Sequence, residues 1–116
     1  MPDYQAHLDQ AARNEGFLVK IDVSLHSDWA VTVLFYAALH YVDAYLAKAA
    51  NQHPGNHDER DRLIQSHSKT SAARPYYRRL KDRATEARYQ CTKTITPATV
   101  SSLRTNDFEP LKQKLS

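Results

Sequence analysis

A chain of 116 residues with formal net charge +3 is sized for one domain around a single core. Two Gly, five Pro and many Ala, Leu, Arg, Lys and Gln favour helix over strand. The lone Cys91 excludes a disulfide framework within the chain and fits a reducing compartment, so the expected location is the cytoplasm.

The opening MPDYQAHLDQ has no basic stretch followed by an apolar run, and no secretory leader is expected. Asp3 is placed to cap a first helix whose apolar stripe is Tyr4, Leu8, Ala11 and Ala12, with Gly16 as its natural stop. Residues 17–26, FLVKIDVSLH, alternate loosely; with no second strand to pair with, they read as a connection packed on the core.

Ser27 then caps the longest apolar stretch, SDWAVTVLFYAALHYVDAYLAKAA, residues 27–50. As a helix it is apolar nearly all round, which belongs at the centre of a bundle. Thr32, Tyr36, His40 and Asp43 form one polar line along it, at spacings of four, four and three. Such a line either knits the core together or borders a cleft. The length also suits a membrane span, but an aspartate near the middle of one costs roughly 2.5–3.5 kcal/mol, and no membrane association is expected.

The run NQHPG, residues 51–55, marks a turn between antiparallel helices. Asn56 and Glu59 make a capping-box pattern for a third helix, from His57 to about Ser68, with Arg60, Leu63, Ile64 and His67 on its inner face. A link at 69–71 leads to a fourth helix over about 72–92. Its seam is Ala73, Tyr77, Leu80, Ala84, Ala87 and Cys91. Thr96 and Pro97 begin a fifth helix, with Asn106, Asp107 and Pro110 expected to break or restart it. The fold expected is all-α, an up-and-down bundle of four to five helices in one domain.

Charge is uneven along the chain. Residues 1–56 carry −3 and residues 57–116 carry +6. The outer face of the fourth helix holds Arg74, Arg78, Arg79, Lys81, Arg83 and Arg88 against Asp82 and Glu86. A basic half of this kind suits an anionic partner, nucleic acid above all, or is simply a solvated face. Arg60, Arg74, Arg78, Lys81 and Arg88 are the candidate phosphate contacts, and Tyr89 beside Arg88 is a candidate stacking platform for a base.

His40 and Asp43, three apart, can form an oriented general base or a satisfied core pair. His53-x3-His57 has a spacing found in zinc sites, but no cysteine pair accompanies it, and no metal is expected. His57 in a first helical turn is disfavoured as a cation. Arg62-x4-His67 supplies a fixed charge for a phosphate and a group that can move a proton from a ribose 2′-hydroxyl. There is no Gly-rich phosphate loop or nucleophile elbow, and no cofactor is expected.

The phrases DWAVTVLFYAALHYVDAYLA, HPGNHDER and YYRRLKDRATEARY, with His40, His57, Arg60, Arg88 and Tyr89 as polar marks, resemble the small prokaryotic HEPN-type helical domains from about Trp29 to Tyr89. The resemblance implies a helical bundle, commonly a homodimer. It also implies RNA binding or metal-independent RNA cleavage in a toxin–antitoxin or phage-defence setting with a partner protein such as an antitoxin. Cleavage in that family uses an Arg-x4–6-His motif. Arg62 and His67 match its spacing, with His40 or His57 assisting, although Leu63 stands where a polar residue is usual. The rival expectation is a non-catalytic adaptor domain in which Tyr36, His40 and Asp43 are a core network.

Overall fold

A computed structural model describes residues 3–90 and 94–116. Among them there is no strand. The elements are α1 (Tyr4–Lys20), α2 (Ser27–Ala50), α3 (His57–Ser66), α4 (Ser68–Tyr89), α5 (Pro97–Leu103), a π-helical turn (Arg104–Phe108) and α6 (Glu109–Leu115). The last three run on as one rod, so the all-α bundle has five rods. Residues 91–93, including the expected seam residue Cys91, lie outside the described residues.

Helix α2 is the centre. Ala30, Val31, Leu34, Phe35, Ala37, Ala38, Val42, Ala44 and Leu46 are all buried. It packs against α1 on one side, α4 on another, and the C-terminal rod on a third. The helix is long and apolar enough to cross a membrane, yet 67% of its most apolar window is buried inside the bundle. Four buried alanines let neighbouring backbones approach closely, while Phe35, Tyr77 and Phe108 fill the wider gaps.

The caps follow the sequence at three helices. Asp3 Oδ1 accepts from Ala6 N–H at 2.8 Å, Asn56 Oδ1 from Glu59 N–H at 2.8 Å and Thr96 Oγ1 from Thr99 N–H at 3.2 Å. Asn51, at φ 51°, takes the left-handed conformation that ends α2, and the Gln52 N–H returns to the Leu46 carbonyl.

Four expectations shift. Helix α1 does not stop at Gly16 but continues to Lys20, because Leu18 finds a buried site on α2 and its burial outweighs the modest cost of an internal glycine. Of the expected stripe Tyr4, Leu8, Ala11 and Ala12, Ala11 alone is buried, and the buried face of α1 is His7, Ala11 and Leu18. Ser27 is the first helical residue and not the cap; its hydroxyl donates to the Val23 carbonyl at 2.6 Å. Helix α4 starts at Ser68, after a single extended residue, His67. The buried Thr70 hydroxyl explains the sharp junction. It donates to the Ile64 carbonyl at 2.8 Å, tying the end of α3 to the first turn of α4.

The expected interruption near Asn106, Asp107 and Pro110 takes the form of a π-helical turn over Arg104–Phe108, after which the α-helix restarts at Glu109. Proline lacks the N–H of an α turn and clashes with the carbonyl four residues back. Widening the preceding turn to the π form lets the rod pass through without ending.

Truncating the centre should be costly. Leu34→Ala is expected to lose ~2–5 kcal/mol in urea unfolding, whereas Val19→Ala, on an exposed position, should stay within about 0.5 kcal/mol of the parent.

Candidate functional site

The polar line on α2 is divided among three partners. Asp43 faces α3, where Arg60 Nε donates to Asp43 Oδ1 at 2.7 Å and Nη2 donates to Oδ2 at 3.0 Å. Both side chains are more than nine-tenths buried. Burial opposes the Arg60 charge, but the two Asp43 bonds outweigh it and hold the guanidinium above its ordinary pKa. Arg60 Nη1 also donates toward His57 Nδ1 at 3.3 Å. Partial burial and the Arg60 charge lower the His57 pKa, so His57 accepts as a neutral imidazole, the form expected at a helix start. The Tyr77 hydroxyl is buried near this pair and has no hydrogen-bond partner among the described residues. Burial raises its pKa, against the pull of the Arg60 charge.

His40 turns the other way, to α1. Its Nδ1 lies 3.1 Å from His7 Nδ1, with ring centroids 5.4 Å apart and planes at 33°. One ring must carry the proton and the other must accept it. Desolvation lowers both pKa values. The charge of Asp43 partly offsets this, and each is lowered further by a cation nearby, Arg60 in both cases. His7, His40 and Asp43 each offer a ligand atom, and the three atoms lie within 4.8 Å of one another.

The N-terminal half of the line borders an open groove of about 390 Å³ between α2 and the end of α4, lined by Asp28, Trp29, Thr32, Ala87 and Arg88. The Arg88 guanidinium lies 5.6 Å from the Tyr36 ring centroid, 6.0 Å from that of Phe35 and 5.3 Å from that of Tyr89. Its Nη1 is buried and has no hydrogen-bond partner among the described residues. Two large aromatics at this end are open to solvent, Trp29 at 61% and Tyr89 at 76% exposure. Trp29 also walls a second, more apolar hollow of about 660 Å³ with Phe17, Lys20, Ile21, Asp22 and His26.

The structure therefore brings His40, Asp43, Arg60 and His57 into one connected cluster. It does not assemble Arg62 with His67. Arg62 is exposed, His67 Nε2 is 2.7 Å from Gln52 Oε1, and no hydrogen bond joins the two among the described residues. Of the expected phosphate contacts, Arg60 is committed to Asp43, and Lys81 donates to Asp61 at 2.8 Å. Arg74 is half-buried and Arg78 exposed, and neither has an ion-pair partner among the described residues. Arg88 and Tyr89 share the groove end. His7 was not singled out from the sequence, although its spacing to Ala11 and Leu18, of four and then seven, places it on the buried face of α1.

The buried pair makes a sharp prediction. Asp43→Ala strands the Arg60 charge and is expected to cost ~3–5 kcal/mol in chemical unfolding, while the double change Asp43→Leu with Arg60→Met recovers most of that loss. No family model, curated protein or solved structure matches the chain.

Proposed function

We propose that this protein binds a single-stranded nucleic acid, RNA by the likeness of residues 29–89 to HEPN domains, in the groove between the start of α2 and the end of α4. The observation that carries the reading is Arg88. The Arg88 guanidinium, whose Nη1 has no hydrogen-bond partner among the described residues, lines a groove together with the exposed Trp29, and the exposed Tyr89 follows it in the chain. A phosphate oxygen is the acceptor that such a donor lacks, and leaving a buried donor unpaired costs ~1–3 kcal/mol. The exposed aromatic faces are suited to stacking on bases without sequence preference. Asp28 on the wall repels phosphate and favours a base on its side of the groove. The reading is one of binding; within one chain no hydrogen bond joins Arg62 to His67 among the described residues, and His57 is turned to Arg60.

A protein-interaction module is the second reading, favoured by the apolar patch where α1 meets α2. Phe17 and Trp29 line one hollow there, and Val19 and Leu25 in the same stretch of chain are also exposed. Apolar clusters of this kind on a soluble surface mark contact sites.

Affinity for a short single-stranded RNA should fall with salt, and Arg88→Gln should flatten the log–log slope by about 0.7. Trp29→Ala should weaken binding by ~1–3 kcal/mol. An affinity indifferent to salt defeats the nucleic-acid reading. Leu25→Asp separates the two: it should abolish concentration-dependent association in sedimentation while leaving RNA affinity intact.

A further inference from the structure

Two imidazoles rarely point the same nitrogen at each other without a reason. His7 comes from α1 and His40 from α2, so this meeting is made by tertiary packing and not by helical spacing. Their Nδ1 atoms are 3.1 Å apart. Two nitrogens bound to one tetrahedral zinc at ~2.0–2.1 Å are about 3.3 Å apart, so the separation seen is already close to that of a shared ion. Asp43, one turn along α2 from His40, brings a carboxylate oxygen within the same 4.8 Å cluster.

We infer that His7, His40 and Asp43 form a binding site for a divalent transition-metal ion of the zinc type. The ligand set, two neutral imidazoles and one carboxylate, suits borderline cations such as Zn²⁺ and its spectroscopic substitute Co²⁺. Three protein ligands leave a fourth position for water or a further donor. A further imidazole, His53 in the α2–α3 turn, has its Nδ1 buried without a hydrogen-bond partner among the described residues.

Arg60 does not remove Asp43 from this role. A carboxylate has about four lone-pair sites, and the guanidinium occupies one on each oxygen. What Arg60 does is fix the carboxylate plane, as outer partners of metal ligands commonly do. Facing Nδ1 atoms that share one proton need one ring to accept through a free lone pair, and a lone pair is what a metal ion takes up. No net proton need be lost when the ion enters. The proton shared between the two Nδ1 atoms leaves that position, and the ring that held it becomes the Nε2–H tautomer.

The consequence is mechanical. Helix α1 makes its main packing contacts with α2. An ion held between His7 and His40 would fasten the N-terminal half of α1, whereas the far half is already tied through Glu15 to Tyr41 and Lys112.

The test uses the full chain, stripped with a chelator and titrated with Zn²⁺ by calorimetry and with Co²⁺ by visible absorption. One ion per chain is expected, with the intense d–d absorption of low-coordinate Co²⁺ and a rise in melting temperature. His7→Ala and His40→Ala should each weaken binding by more than the ~10–100-fold that loss of an outer partner costs. The exposed His26→Ala should bind as the parent does. Because loss of His7 can also loosen α1, His7→Cys serves as the second variant. It keeps a donor and should add a thiolate-to-cobalt charge-transfer band. Absence of binding, or binding as tight as the parent's in the His7→Ala and His40→Ala chains, overturns the inference and leaves the two histidines a hydrogen-bonded pair.

Discussion

Asp43 sits on the most apolar helix of the chain, and a carboxylate in that place cannot stand alone. Placing it there without a partner would cost several kcal/mol. The chain answers with Arg60, delivered by a short helix whose entry is fixed by the Asn51 turn and the Asn56 cap. The bidentate geometry leaves little freedom in where α3 can lie. Tyr77 of α4 and His57 of α3 then gather around the pair, so one ionic contact sets the relation of α2, α3 and α4. Such a pair adds little net stability compared with apolar side chains of the same volume. What it adds here is a defined arrangement, since a shifted α3 would strand two charges.

The other side of α2 is organised more softly. His7 and His40 mark one register by a specific contact. The Tyr41 hydroxyl donates to Glu15, which also accepts from Lys112 of the C-terminal rod at 3.3 Å from Oε1. Burial and the Glu15 carboxylate both raise the Tyr41 pKa, so the phenol stays the donor. The polar contacts on this side are thus spaced along the hairpin, each specifying a position the apolar surface does not.

The central helix, its bounds and its polar line were legible because an apolar segment of that length has few other places to go. The caps at Asp3, Asn56 and Thr96 were legible for a local reason: a side chain three residues from its N–H partner needs no tertiary information. The partners along the polar line were not. Helical spacing suggested that His40 and Asp43 face each other, but each found a better partner on another helix, and periodicity carries no knowledge of a neighbouring rod. His7 was passed over because a helix with a weak stripe admits two readings of its inner face, and the rotation that buries His7 is decided by α2. Gly16 misled for a similar reason. A glycine can end a helix, but a buried Leu18 two residues on can carry the helix through it.

The surplus of positive charge in the second half of the chain is a poor guide to where an anion binds. Arg79 is paired with the buried Asp107 at 2.6 Å, Lys81 with Asp61, and Arg83 with Glu86 at 3.0 Å. Those cations face acids on their own or adjacent helices, and their fields largely cancel within a Debye length of ~8–10 Å. Arg88 differs in kind. Its charge lies against ring faces, which attract a cation but offer no acceptor lone pair, and its Nη1 has no partner among the described residues. A count of arginines places the basic face along the whole of α4. Pairing thins that face to Arg74 and Arg78, unpaired among the described residues, and sets Arg88 apart at the end of α4, where a groove opens beside the exposed Trp29.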